Sequence, residues 1–315
     1  MSDPVLLICG ASFKEEERAR LESAHPSVYV DGPEDMAGLD EATRATIRAV
    51  AYKGHKPLGA EGMDLFPALG VIANYGVGYD AIDVEAASAR DIRVTNTPDV
   101  LSDDVADLAV GMLIAQCRTM MRGEAHVRTG AWAREGEIPL NRKFSGNKAG
   151  IVGLGRIGRE IADRLAAFKM EIHYHSRTEK ETPGWTYHAD VVDLARAVDF
   201  LVVALVGGDE TKNYVSREAI EALGERGVLV NISRGTTVDE AALLDALETG
   251  RIAGAGLDVF LNEPNIDPRF LSLQNVVLQP HQGSGSVETR RAMAVLQLDN
   301  ITAFLEGRDL LTPVN

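Results

Sequence analysis

The stretch AGIVGLGRIG, Ala149 to Gly158, decides the fold. Its first residues read as a buried strand, three glycines follow in G-x-G-x-x-G spacing, and the residues from Ile157 to Phe168 take up a helical period. A strand that runs straight into a glycine turn and then a helix is the context that gives this spacing a physical meaning. Gly153 permits the tight turn, Gly155 lets a pyrophosphate approach the backbone, and Gly158 allows the helix to pack closely on the strand. The helix N-terminus, with Arg156 and Ile157 in its first turn, supplies N–H donors and a positive dipole end for phosphates. Gly153, Gly155, Arg156, Ile157 and Gly158 are therefore the expected dinucleotide-binding residues.

In such folds an Asp or Glu about 20 residues downstream binds the ribose 2′-hydroxyl and specifies NAD, whereas an arginine there accommodates a 2′-phosphate. Here the strand EIHYH ends in Ser176, Arg177 and Thr178. A carboxylate would repel a phosphate dianion; a guanidinium pairs with it, and two hydroxyls can donate to it. The expected cofactor is NADPH, with NADH weaker. The competing reading makes Arg177 a merely exposed loop residue, with Glu179 or Glu181 supplying the acid after a small loop shift.

Working outward, the first hundred residues alternate the apolar segments VLLIC, VYV, AVAYKG, VIANYG and IRVTN with helical patterns such as Phe13 to Ser23 and Val84 to Arg90. That alternation builds a parallel sheet. One long helix is expected from Ser102, as its N-cap, to about Thr129, followed by a loop or arm, RTGAWAREGEIPLNRKFSGN. The strands AGIV, EIHYHS, FLVVALV, VLVNIS, GAGLDVF and VVLQP then form a second α/β run, and a last helix, Glu288 to Glu306, is expected to cross back to the first domain. With 315 residues the chain has room for two domains.

A formal net charge of −15 argues against nucleic-acid or anionic-membrane surfaces. No apolar run approaches the roughly 18 residues of a membrane helix, and VLLICG followed by KEEERAR is a strand rather than a secretory segment. The two cysteines, Cys9 and Cys117, read as buried thiols, so a cytoplasmic setting is expected. His173 and His175 share a strand face but lack a third ligand at useful spacing, and a half-exposed strand end explains them better than a metal. His25, His55, His126 and His188 look isolated, KEEERAR reads as the solvated side of the first helix, and Met120 and Met121 as core or interface filler.

Three stretches carry charge at strand ends of the second half: NISRG, GLDVFLNEP and LQPHQGS. Arg234, Glu263 and His281 can converge at the carboxyl edge of one sheet, where ligands bind in open α/β folds. Such a set suits keto-acid reduction. Arg234 forks onto a carboxylate and a ketone oxygen, His281 donates the proton, and Glu263 keeps the imidazole protonated.

With these motifs, and with NYGVGYDAID and the closing EGRDLLTPVN, the sequence resembles the D-2-hydroxyacid dehydrogenase family, in its glyoxylate/hydroxypyruvate reductase branch. The resemblance implies two doubly wound parallel-sheet domains, a Rossmann-type nucleotide domain (99–285) inserted into a flavodoxin-like substrate domain (1–98 and 286–315). It implies that His281 is the general acid, Glu263 its carboxylate partner and Arg234 the residue that orients substrate. It further implies a carboxylate-binding turn, Asn74 to Gly78, with the Val77 and Gly78 amides facing substrate, and a nicotinamide carboxamide held by Asp258. Homodimers held partly by an arm corresponding to Thr129–Asn147 are the rule in the family, which makes Trp132 an interface residue and lets Asn141 reach toward the partner's site. Tyr75 and Gln282 depart from the common pattern at positions that touch substrate choice.

The expected activity is NADPH-dependent reduction of hydroxypyruvate and glyoxylate. Alternatives are a reductase for bulkier keto acids such as phenylpyruvates, or a non-catalytic NAD(P)-sensing corepressor or scaffold. A formate dehydrogenase would resemble this chain but carry Gln in place of Glu263, and a phosphoglycerate dehydrogenase would add a regulatory domain and prefer NAD. If Arg177 makes one charge-assisted contact worth roughly 1.5 to 3 kcal/mol, Arg177→Ala raises the KM for NADPH roughly tenfold to a hundredfold and leaves NADH nearly unchanged; equal losses with both cofactors in steady-state assays would refute this.

Overall fold

The computed structural model describes residues 3–315. The chain divides into two compact units, one formed by Met1–Leu101 with Ser286–Asn315 and the other by Ser102–Gly285. Each is built on a parallel sheet.

In the first unit the strands are β1 (Leu6–Cys9), β2 (Ser27–Val30), β3 (Ala49–Tyr52), β4 (Val71–Asn74) and β5 (Arg93–Thr95), in the order β2-β1-β3-β4-β5. This is the flavodoxin-like order, and every pairing is parallel. β1, β3 and β4 are buried throughout, as central strands covered on both faces must be. Alternation sends Leu7, Cys9, Val50, Tyr52 and Ile72 to one face and Leu6, Ile8, Ala49, Ala51, Val71 and Ala73 to the other, where Ile301 packs. Ile301 belongs to the helix Val287–Leu305, so the last helix does return to the first unit. The small residues on that face let it approach, and the buried Gln297 amide donates to the carbonyls of Tyr52 (3.2 Å) and Ala73 (2.8 Å).

The second unit contains β6 (Lys148–Val152), β7 (Glu171–His175), β8 (Thr186–His188), β9 (Phe200–Val203), β10 (Val228–Asn231), β11 (Gly254–Leu257) and β12 (Val276–Leu278). They form a seven-stranded parallel sheet in the order β12-β11-β10-β9-β6-β7-β8. The order reverses between β6 and β9, the switch point at which ligands bind in such sheets. The helix Ser102–Cys117 lies against β10, β11 and the helix Arg156–Ala167. Cys9 and Cys117 are both buried and free, and burial pushes their thiols up to about 12 and about 11.

Several expectations need correction. The helix expected to run from Ser102 to Thr129 breaks after Cys117 and resumes as Met120–Arg128. Thr119 sits between them in the left-handed region (φ 43°, ψ 44°), which a right-handed helix cannot pass through, and its hydroxyl donates to Asn141 Oδ1 at 2.6 Å. That tertiary contact leaves no trace in a periodicity. Ser102 is the first helical residue and is buried, so it is not the cap. The arm contains a short helix, Ala131–Glu135, between Gly130 and Gly136, too brief to show a period. Nor does KEEERAR lie wholly in water, since Glu17 is turned inward and buried.

Candidate active site

The glycine turn leaves β6 as expected. Gly153 adopts φ +97°, where a side chain would be strained, and a Cβ on Gly158 would overlap the Gly153 carbonyl, so that position requires glycine. Beside Gly155 there is open space, and no side chain caps the helix Arg156–Ala167 that it precedes. The first-turn amides therefore face an open backbone cradle, which suits a diphosphate.

At the end of β7, Arg177 and Thr178 are exposed, while the Ser176 hydroxyl donates to the Thr178 carbonyl at 2.6 Å. Two tyrosines anchor this loop from below. Tyr174 Oη donates to the Lys180 carbonyl and accepts from its N–H, and Tyr187 Oη donates to the Ser176 carbonyl. The histidines behind it depart from expectation: His173 and His175 are each only 5% exposed rather than half-exposed. His188 is not isolated, because its Nε2 lies 2.9 Å from His173 Nδ1, with Glu171 on the other side of His173. β8 pairs with β7 and carries His188 there, and that strand was not expected. Burial lowers the His188 pKa, with the neighbouring His173 acting in the same direction.

Arg234, Glu263 and His281 follow β10, β11 and β12, three neighbouring strands, so all three start from one edge. Glu263 Oε2 accepts from His281 Nδ1 at 2.7 Å, and both side chains are partly exposed. The Arg234 carbonyl accepts from the Asn231 amide and the Thr237 hydroxyl, which fixes its backbone. Asp258 is buried, and burial raises its pKa, while the Gln282 and Gly283 N–H groups that donate to its two oxygens offset this. The His281 N–H in turn donates to the Asp258 carbonyl at 2.9 Å. Asp258 thus shapes the loop on which His281 stands, a task that spacing alone did not reveal.

In the first unit the Asn74–Gly78 turn has its carbonyls drawn inward. Asn74 donates to Gly76 O and Gly78 O, and Asn96 to Val77 O, whereas the Val77 and Gly78 N–H groups have no acceptor among the described residues. Such a turn suits an anion. Beneath it Tyr75 Oη donates to Glu17 Oε1 at 2.9 Å, and Lys53 Nζ lies 2.5 Å from Glu17 Oε2 and 4.2 Å from the Tyr75 ring centroid. The pair explains why Glu17 left the solvent. Burial pushes the Glu17 carboxyl up, but Lys53, the Lys14 N–H and the Tyr75 hydroxyl together bring it below its ordinary value.

With this geometry in place, comparison with known proteins is direct. Residues 110–283 match the family model described as D-isomer specific 2-hydroxyacid dehydrogenase, NAD binding domain. A glyoxylate/hydroxypyruvate reductase A of Arabidopsis thaliana is 47% identical over 98% of both chains. A hydroxyphenylpyruvate reductase of Plectranthus scutellarioides is 48% identical over 85% of this chain and 86% of that one. A crystal structure of an NADPH-dependent glyoxylate/hydroxypyruvate reductase from Sinorhizobium meliloti, in complex with NADP and malonate, superposes with a TM-score of 0.93 at 45% identity, covering 99% of this chain and 97% of that one. The chain belongs to the D-isomer specific 2-hydroxyacid dehydrogenase family.

A carboxyl whose folded pKa lies below its ordinary value of 4.5 contributes stability above that value and loses it as pH falls through the folded value. In chemical denaturation from about pH 5 to about pH 3, wild type should therefore lose more stability than Glu17→Gln. At neutral pH the same variant, with Lys53 left buried and unpaired, should be less stable by about 3 to 5 kcal/mol; a neutral-pH loss below about 1 kcal/mol would show that the pair carries little.

Proposed function

We propose that the protein is an NADPH-dependent reductase of small 2-keto acids, converting hydroxypyruvate to D-glycerate and glyoxylate to glycolate. The observation that carries this reading is the Glu263–His281 hydrogen bond at 2.7 Å, formed at the same sheet edge that Arg234 leaves. The relatives at 45% and 47% identity that bear these activities in their names support it. A second reading, a preference for phenylpyruvates, is favoured by the hydroxyphenylpyruvate reductase at 48% identity.

The residues present fit a dinucleotide, with the open cradle at Gly155 for its diphosphate, the exposed Arg177 and Thr178 for a 2′-phosphate on a loop that the Ser176 hydroxyl braces, and Asp258 for the carboxamide. When bound, the cofactor supplies the hydride. Arg234 orients the keto acid by its carboxylate and ketone oxygen, and the Val77 and Gly78 amides provide further donors to the carboxylate. His281 delivers the proton to the ketone oxygen from Nε2, because Nδ1 is committed to Glu263. Glu263 holds the ring in that orientation and compensates its charge.

The helix Met120–Arg128 and the arm that follows leave Met121, Val127, Trp132 and Leu140 exposed, Leu140 fully so. Exposed apolar side chains of this size call for a cover, and we assign it to a second copy of the chain, giving a homodimer that brings the Asn141 segment of each arm toward its partner. The two buried thiols accord with a cytoplasmic enzyme.

Initial rates with NADPH and NADH against hydroxypyruvate, glyoxylate, pyruvate and phenylpyruvate test the assignment, and no turnover with any of the four would remove it. His281→Ala should bind NADPH but lose roughly 10²- to 10⁴-fold in kcat, whereas unchanged turnover would take His281 out of the mechanism. Light scattering should give a dimer mass for the wild type and a shift toward monomer for Trp132→Glu; a wild type that is monomeric at micromolar concentration would refute the interface.

A further inference from the structure

The backbone through Phe260 and Leu261 is held on several sides. Glu263 Oε1 accepts from the Phe260 N–H at 2.8 Å, and Glu240 Oε2 accepts from the next amide, Leu261 N–H, also at 2.8 Å. Behind it lies Gly235, where any Cβ would overlap the Phe260 carbonyl and the Leu261 nitrogen. The Phe260 ring is itself locked edge-on against Phe270. Glu263, the partner of His281, and Gly235, the residue after Arg234, therefore both take their positions from this one stretch of backbone, Glu263 at the Phe260 N–H and Gly235 on the peptide that follows. Of the groups that hold it, Glu240 alone has had no task.

Glu240 opens the helix Glu240–Glu248, which Asp239 already caps by accepting from the Ala242 N–H. A carboxylate serving only as favourable charge at a helix start would stay in water. Burial instead raises the Glu240 pKa, with only part of that rise offset by the Leu261 N–H and with Asp267 acting in the same direction. An acid kept at a site that disfavours its charge is kept there for its reach.

We propose that Glu240 is a positioning residue for the reduction: through its hydrogen bond to the Leu261 amide it fixes the Phe260–Leu261 peptide, on which Gly235 beside Arg234 rests, and with it the adjoining Phe260 amide that holds Glu263. This rests on the proposed roles of Arg234, Glu263 and His281. Glu240 touches no reacting atom and acts through the loop.

Two conservative variants separate reach from charge. Glu240→Gln keeps an oxygen at the same distance and loses the charge; Glu240→Asp keeps the charge, which a helix start tolerates well, and falls one methylene short. Three quantities are read for each: kcat and KM for the keto acid, the NADPH dissociation constant by fluorescence, and amide hydrogen exchange at Leu261. In Glu240→Asp, kcat should fall roughly tenfold to a hundredfold and Leu261 exchange should speed up by about tenfold or more, with NADPH affinity within about twofold of wild type. Glu240→Gln should match wild type in kcat and in exchange. An active wild type with an equally active Glu240→Asp would overturn this inference alone, and so would equal impairment of both variants. A wild type that reduces no keto acid would instead overturn the proposed reaction, and this inference with it, whatever the exchange shows.

Discussion

A parallel sheet delivers the carboxyl ends of all its strands to one edge, and the arrangement of the second unit follows from that constraint. β10, β11 and β12 are neighbours in strict register, from Val228 against Gly254 to Leu257 against Leu278. With strands roughly 4.8 Å apart, three consecutive ends fall within the span of one small substrate. Arg234, Glu263 and His281 are 29 and 18 residues apart in sequence, yet no long loop has to fold back to unite them. Short loops make only the last adjustment, which brings Glu263 onto His281.

That adjustment depends on backbone lying directly against backbone. Gly158 sits on the Gly153 carbonyl, and Gly235 sits on the Phe260–Leu261 peptide. In both places a methyl group would force apart two segments that each carry proposed site residues. Close contact without side chains also removes slack, because packed backbone is stiffer than interdigitated side chains and its hydrogen bonds have fixed directions. Precision at the edge thus comes from glycines and from the carboxylates that terminate the remaining amides.

Elements whose information is local were legible in the sequence. Apart from β8, the strands of both sheets are short apolar runs between turn signals, and the glycine turn announces itself, as do the charged residues that follow three of the strands. What stayed hidden depends on distant partners. The helix breaks at Thr119, whose left-handed backbone goes with a hydroxyl bonded to Asn141, 22 residues away. Glu17 looks like one solvated acid among the six charges of KEEERAR until Lys53, 36 residues on, turns it inward. His188 looks isolated until β8 lays it beside His173. The loop-shaping bonds of Asp258, and Glu240 altogether, escaped for another reason: the partners are backbone amides, which every residue but proline has and no sequence pattern marks.

Those amides also resolve an apparent conflict. A chain of formal charge −15 that places Glu240, Asp258 and Glu263 around the proposed proton donor should repel an anionic substrate. Each of the three accepts from backbone, however: Glu240 from Leu261, Glu263 from Phe260, and Asp258 from Gln282 and Gly283. Their negative charge is thereby turned inward and spent on loop geometry, while charges beyond a Debye length of about 8 Å are screened by salt. In the other unit the Val77 and Gly78 N–H groups have no acceptor among the described residues, so that turn offers an anion donors that the acids do not compete for. Placing acids as structural acceptors and leaving backbone amides as donors reconciles a strongly acidic chain with an anion-accepting turn.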